Sequence, residues 1–286
     1  MSGQLVLVAT PIGNLGDISD RMRSVLSTAD VIACEDSRHS GRLVKYMGIT
    51  SPHYMVVNEH TERDSCARIV GAITAGKTVA LITDAGTPGI SDPGSVVVRA
   101  VIDAGLSVSA VPGPAALIMA LVISGLPTTR FVFEGFLPRS GRDRNARLAD
   151  IAAETRTIVF YEAPHRITRT IADLAEVCAP HRIIVLAREL TKMHEEVWRG
   201  SLTEAVARCE DASTTGASPI GEFVVVLAGA EQPDEADDDA ICDALRDVFS
   251  SGATTRDAVD LVVKKLGVAK RVAYRLALTI NEEGRS

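Results

Sequence analysis

The chain has 286 residues, 46% hydrophobic and 23% charged, with a formal net charge of −7; the length suits two domains and a small extra module, and the composition excludes a disordered or fibrous chain. The longest strongly apolar run, Ala115 to Ile123, is far short of the roughly 20 residues that cross a bilayer, and Met1-Ser2-Gly3-Gln4 lacks the basic start of a signal peptide, so no membrane association and a cytoplasmic location are expected. The acidic balance argues against a surface that binds nucleic acid everywhere, but it is uneven: Glu231 to Asp243 holds seven acids and no base, whereas Gly252 to Ser286 holds seven bases against four acids.

Leu5 to Ala9 reads as a strand and Ser19 to Ser27 as a helix capped by Ser19. Val31 to Cys34 is a second strand, followed by a helix to about Met47. Tyr54 to Val57 is a third strand, and Arg63 to Ala75 has helical spacing. A strand over Thr78 to Thr83, a Gly/Pro-rich loop, a helix from Gly94 to Ala104 and a strand over Val108 to Val111 complete the series. Short strands apolar on both faces and separated by helices predict a parallel sheet covered on both sides, here an N-terminal α/β domain over residues 1–114.

A second α/β domain is expected over 115–231. Its strands are Phe131 to Glu134, Thr157 to Tyr161, Arg182 to Ala187, Val197 to Gly200 and Glu222 to Ala228, and its helices Asn145 to Ala153 and Ile167 to Cys178. The short Val197 to Gly200 piece predicts antiparallel pairing, hence a mixed sheet. The acid-rich stretch 232–251 reads as a solvated linker. In 252–286, helices over Thr255 to Leu266 and Val268 to Thr279 flank Gly267 in a helix-turn-helix-like module, with Lys270, Arg271 and Arg275 on the second helix. A helical hairpin without nucleic-acid contact fits the same residues.

Gly71 to Thr78 matches G-x-x-x-x-G-K-[ST]. A phosphate-cradling loop, however, runs from strand to helix. Here the glycines follow a helix and Lys77 leads into a strand, so Gly76 reads as a helix cap. No G-x-G-x-x-G follows the first strand and no G-x-S-x-G elbow occurs. The six histidines and five cysteines nowhere stand at metal-ligand spacing, so neither a dinucleotide cofactor nor a metal is expected.

Three Gly/Pro-rich loops follow strands instead, at the edge where open α/β sheets bind ligands: Ala9 to Asp17, Asp84 to Gly94, and Val111 to Ala116. Glycine and proline let backbone groups approach a ligand in a fixed shape, which suits a neutral or zwitterionic ligand better than a triphosphate.

At these loops the chain resembles the tetrapyrrole methylase superfamily, most closely its branch that methylates a cytidine ribose 2′-oxygen in 16S (small-subunit) ribosomal RNA. The shared segments are A-T-P-I-G-N-L-G-D (9–17), E-D-S-R (35–38), N-E-H (58–60), T-D-A-G-T-P-G-I-S-D-P-G (83–94), V-P-G-P-A-A (111–116), G-F-L-P-R (135–139), Y-E-A-P-H-R (161–166), E-L-T-K-M-H-E-E (189–196) and G-E-F-V (221–224). Ser37 stands where the branch usually carries Thr, and Ala115 where Ser is common.

The resemblance implies S-adenosylmethionine in a cleft between the two α/β domains. Asp84, Ala85, Gly86, Thr87, Pro88, Gly89 and Ile90 would wrap its methionine end, with Pro112, Gly113, Ala115 and Ala116 beside it and Pro11 with Ile12 as the floor. Second-domain loops at Phe136-Leu137, Tyr161-Glu162, Met193 and Gly221 would close over the adenosine. Small-subunit ribosomal RNA or the assembled small subunit is the implied partner, and a homodimer the implied assembly. Within the fold the alternatives are a methylase of a corrin or other small tetrapyrrole and a diphthine synthase; outside it, a non-enzymatic RNA-binding protein.

A ribose hydroxyl needs a group that takes its proton. Glu35, Asp36, Glu59, His60, Asp84, Asp92 and Lys192 sit near strand ends, and Asp36 and Glu59 are chosen, against an ion-pair reading that Arg38 invites for Asp36. Arg139, Arg142, Arg144 and Arg147 would give the cleft a basic mouth. Arg139 and Arg142, with Lys270, Arg271 and Arg275 of the tail, are the expected RNA contacts. Gly86→Val is expected to obstruct the cofactor with little loss of fold.

Overall fold

The computed structural model describes residues 3–50, 52–57, 61–214, 220–231 and 237–283. Its first layer pairs β1 (Gln4–Val8), β2 (Val31–Cys34), β3 (Tyr54–Val56), β4 (Thr78–Leu81) and β5 (Ser107–Val111) as a parallel sheet in the order β3-β2-β4-β1-β5. The connecting helices are α1 (Asp20–Thr28), α2 (Ser37–Tyr46), α3 (Glu62–Thr74) and α4 (Ser95–Asp103). Side chains alternate across a strand, so each strand feeds two cores. Leu5, Val31, Ala33, Val79 and Leu81 meet Ile69, Ile73, Val97 and Val101 of α3 and α4. Val6, Val8, Ile32, Cys34 and Ala80 meet Met22, Leu26 and Val44 of α1 and α2.

Local signals set the ends. Ser19 accepts the Met22 N–H at 3.1 Å and starts α1. The N–H groups of Gly76 and Lys77 return to the carbonyls of Ile73 and Ala72 at 2.9 and 3.1 Å, which closes the end of α3; the phosphate-loop match at 71–78 is a helix terminus running into β4.

The second layer contains α5 (Ala116–Ser124), β6 (Phe131–Phe136), α6 (Gly141–Ala153), β7 (Thr157–Glu162), α7 (Ile167–Val177), β8 (Ile183–Arg188), β9 (Glu196–Ser201), α8 (Leu202–Thr214) and β10 (Phe223–Leu227). The sheet order is β6-β7-β10-β8-β9, parallel between β6 and β7 and antiparallel elsewhere, the expected mixed sheet. Helices α6, α7 and α8 cover one face through Leu148, Ile171, Leu174 and Leu202. Helix α5 covers the other through Leu117, Ala120 and Leu121, joined there by Ile12 from the loop after β1. Both layers belong to one unit, Met1–Ala230.

A separate unit, Glu231–Ser286, holds α9 (Asp238–Ser250), α10 (Thr255–Leu266) and α11 (Lys270–Glu283). Helix α9 replaces most of the expected linker. Asp237 accepts the Ala240 N–H at 2.8 Å, Asp238 and Asp239 lie in the first turn where carboxylates suit the helix dipole, and Ile241 and Leu245 are buried against Val259, Val262 and Ala273. Acidity there marks a helix start. Residues 232–236 of the expected linker lie outside the described residues.

Candidate active site

The three Gly/Pro loops are clasped to one another. Thr10, fully buried, donates its N–H to the Gly86 carbonyl at 2.8 Å and accepts the Gly86 N–H at 3.1 Å. Its hydroxyl bonds the Thr83 carbonyl at 3.2 Å. Thr87 Oγ1 then donates to the Pro114 carbonyl at 3.1 Å. Gly113 passes so close to the first loop that a Cβ there would lie 2.9 Å from that of Ala9. Gly86 has φ +82° and a Cβ would sit 3.4 Å from Ile12 Cγ2, so Gly86→Val strains the backbone itself, contrary to the expectation of a conserved fold.

Between these loops and the second sheet lies a cavity of about 350 Å³, within the size range of small-molecule sites. Ile12, Ala85, Gly86, Thr87, Ile90, Ser91, Asp92, Ala115 and Ala116 line one side, and Phe136, Tyr161, Glu162, Ala163, Pro164, Ala187, Leu190, Glu222, Phe223 and Val224 the other. Phe136, 55% exposed, lies 5.5 Å from the Tyr161 ring, and Phe133 packs behind Tyr161 at 5.1 Å. The cavity thus offers an apolar wall, an aromatic face and backbone polar groups. Among the described residues no cluster of His, Cys, Asp or Glu could hold a metal ion.

The second-domain wall rests on buried charge. Glu162 accepts the Ala163 N–H at 2.9 Å and the Thr170 hydroxyl at 2.6 Å, and pairs with Arg166 at 3.1 Å. Arg166 also donates to the Leu137 carbonyl at 2.6 Å. Arg144 donates to Asp173 at 2.8 Å, to Thr170 at 3.0 Å and to the Pro138 carbonyl at 2.9 Å. The segment at 189–192 is strained, with Glu189 at φ +52° and Thr191 at φ +68°, and Lys192 Nζ bridges Glu189 at 2.8 Å and Glu222 at 2.9 Å. Partial burial disfavours the Lys192 ammonium, but these two carboxylates outweigh it and raise the pKa, which removes Lys192 as a base.

Of the residues chosen from sequence, the structure brings Ala85, Gly86, Thr87, Ile90, Ala115, Ala116 and Tyr161 to the cavity, with Ile12, Phe136 and Glu162. Pro11, Asp84, Pro88, Gly89, Pro112 and Gly113 lie in the same loops without lining it. Leu137 is 2% exposed and belongs to the core beneath α6 and α7; Arg166 holds its carbonyl and its side chain faces away from ligand. Met193 is 92% exposed and does not line this cavity. Gly221 lies outside the lining next to Glu222. Asp92, one of the candidate bases near strand ends, also lines it, as do Ser91, Ala163, Pro164, Ala187, Leu190 and Glu222 to Val224, which the sequence does not single out. The ends of β8 and β10 arrive through the pairing of Arg188 with Phe223, which no local signal announces.

Asp36 serves structure. It caps α2 by accepting the Arg38 N–H at 2.8 Å and pairs with the Arg38 guanidinium at 2.8 Å; those bonds hold its carboxyl at a pKa of about 2, too low for a general base near neutrality. Glu59 and His60 lie outside the described residues. Arg144 is 2% exposed and structural, and Arg147 pairs with Glu134. Arg139 and Arg142 are exposed and make no ion pair among the described residues. In the tail, Lys270 pairs with Asp260 at 2.6 Å and Arg275 with Asp238 at 3.0 Å. Arg271, Lys264 and Lys265 are exposed.

Two α/β layers with a ligand-sized cavity at their strand ends define a class, and its family model, tetrapyrrole (corrin/porphyrin) methylases, matches residues 4–206. Ribosomal RNA small subunit methyltransferase I of Synechocystis sp. is 42% identical over 284 residues, covering 99% of this chain and 100% of that one. The protein of the same name from Xylella fastidiosa is 47% identical over 234 residues, 82% of this chain and 84% of that one. A uroporphyrin-III C-methyltransferase from Thermus thermophilus, solved in complex with S-adenosyl homocysteine, shares the fold with a TM-score of 0.51 at 17% identity, over 78% of this chain and 96% of that one. The chain belongs to the tetrapyrrole methylases and, within them, to the ribosomal RNA small subunit methyltransferase I family.

Proposed function

We propose that the chain transfers a methyl group from S-adenosylmethionine to the ribose 2′-oxygen of a cytidine in small-subunit ribosomal RNA, in the cytoplasm, as a homodimer. The observation that carries this reading is the clasped three-loop cavity in a chain alike over nearly its whole length to enzymes named for small-subunit ribosomal RNA.

The donor fits the residues present. The backbone of Ala85 to Thr87 and of Ala115 and Ala116 supplies polar groups for its methionine end, while Phe136, Tyr161 and Val224 offer apolar area for its adenosine. Bound there, the donor supplies an electrophilic methyl carbon. The protein's task is to hold acceptor and donor in line and to exclude water.

Arg139 and Arg142, which follow the lining residue Phe136 in sequence, and Arg271, Lys264 and Lys265 in the tail supply cations for phosphate; Lys270 and Arg275 do so once they leave their exposed pairs with Asp260 and Asp238. The outer side of α5, with Ile118, Met119, Val122 and Ile123 all at least partly bare, supports a protein partner of its own kind. The test is label transfer from methyl-labelled donor to small ribosomal subunits, free small-subunit RNA and a corrin mixture in parallel. Label in subunits or RNA supports the reading; label only in the corrin fraction replaces it with the small-tetrapyrrole alternative.

A further inference from the structure

Three carboxylates line the cavity, and two are engaged. Glu162 is saturated by Ala163, Thr170 and Arg166. Glu222 pairs with Lys192 and its side chain is 79% exposed. Asp92 lines the same cavity and has no cationic partner among the described residues. The chain enters it through Ser91, which holds φ +61°, a conformation that costs a non-glycine residue energy and persists where the surroundings enforce it. It leaves through Pro93 and Gly94, tied down by the Glu62 carboxylate at the Gly94 N–H. Asp92 is therefore a fixed carboxylate facing the ligand space.

We propose that Asp92 is the catalytic base of this site, taking the proton of the attacking ribose hydroxyl. The assignment rests on the ribose reading above. As the hydroxyl oxygen bonds the methyl carbon, the carbon–sulfur bond breaks, its electron pair stays on sulfur and cancels the sulfonium charge, and the proton passes to an Asp92 carboxylate oxygen. No other reactant is needed.

The electrostatics suit that role. Burial is the first cause that lifts the Asp92 pKa, followed by the charges of Glu35 after β2 and Asp84 after β4; a hydrogen bond with Thr83 opposes them, and the result is about 6. From the second layer the Tyr161 phenol faces it, itself pushed up by burial and by the Asp92 charge. A base with a pKa just below working pH is ionised and still takes a proton usefully. Asp36, at about 2, does not.

The full-length protein tests this in three readouts. Asp92→Asn is expected to lower kcat on small subunits by about 10² or more while calorimetric affinity for S-adenosylmethionine stays within about twofold. The Asp92 carboxyl carbon, followed by NMR in the ligand-free protein, should titrate near 6, and Glu35→Gln should move both that midpoint and the acidic limb of kcat to lower pH. An Asp92→Asn protein that keeps its kcat, one whose loss lies wholly in donor affinity, or an Asp92 that titrates as an ordinary carboxylate overturns the assignment while the ribose reading stands. Wild-type protein that labels only a corrin overturns both.

Discussion

The Glu62 carboxylate accepts the backbone N–H of Gly94 at 2.7 Å and that of Val96 at 3.2 Å, so the first residue of α3 caps α4. Glu62 is 9% exposed, and α4 lacks a capping bond from the side chain of its own cap residue. The loop from Asp84 to Gly94 is thereby pinned at its far end. Glu62→Ala is expected to destabilise the protein by about 1–3 kcal/mol, the cost of stranding buried donors. It should also weaken donor binding, because the loop that lines the cavity is loosened. A denaturant midpoint and a calorimetric Kd check the two effects separately.

Arg144 and Arg142 are two residues apart, the first buried and the second exposed. Arg144→Met removes the partner of Asp173, Thr170 and the Pro138 carbonyl and is expected to cost about 3 kcal/mol or more, as for other broken buried pairs. Arg142→Ala should leave the melting temperature within a degree or two and lower affinity for RNA. Equal stability of the two variants would contradict the placement.

Ala115 precedes α5 in an extended conformation, φ −144° and ψ +107°, which any side chain adopts. Ala115→Trp should therefore fill the cavity without the backbone strain that Gly86→Val brings. Its expected signature is a loss of S-adenosylmethionine affinity of tenfold or more with an unchanged unfolding midpoint.

Asp92 also predicts a pH dependence of stability. Its folded pKa, about 6, lies above the ordinary value of about 4, so the native state binds the proton more tightly than the unfolded chain. That contribution is complete below about pH 4 and is lost as the pH rises through 6. Asp92→Asn should accordingly match the wild type near pH 4 and exceed it at pH 7 to 8, by about 1 kcal/mol once solvent screening of this half-buried carboxylate is allowed for. Denaturant curves at the two pH values measure it.

In the tail, Lys264, Lys265 and Arg271 are exposed whereas Arg275 is paired with Asp238. Replacing the first three with glutamine should flatten the salt dependence of RNA binding by about 0.7–0.9 in log–log slope per contact. Arg275→Gln should change it little. Equal effects from all four would show that the Asp238 pair opens on binding.

Much of this was legible before the structure. Val31–Cys34 and Thr255–Leu266 fall where the apolar runs and Gly267 put them, the first as four buried residues. Helix α5 was not, because Ala116 to Ser124 is apolar on every side and has no period to read. Helix α9 hid behind its acids, although Ile241 and Leu245 stand one turn apart. In the site, the glycine and proline loops announced the first-domain wall. Its opposite wall depends on β10 lying between β7 and β8, a long-range pairing. Nor could sequence separate Arg144 from Arg142, since only packing decides which side of α6 faces Asp173.

Transfer of the methyl group to a ribose oxygen, as proposed, fixes the chemical identity of the product. The most direct measurement is digestion of small-subunit RNA labelled by this enzyme, with identification of the labelled nucleoside. A single 2′-O-methylcytidine, resistant to alkaline cleavage on its 3′ side, is the predicted product. Label on a base, or on no nucleoside while a tetrapyrrole accepts it, would rule out ribose methylation.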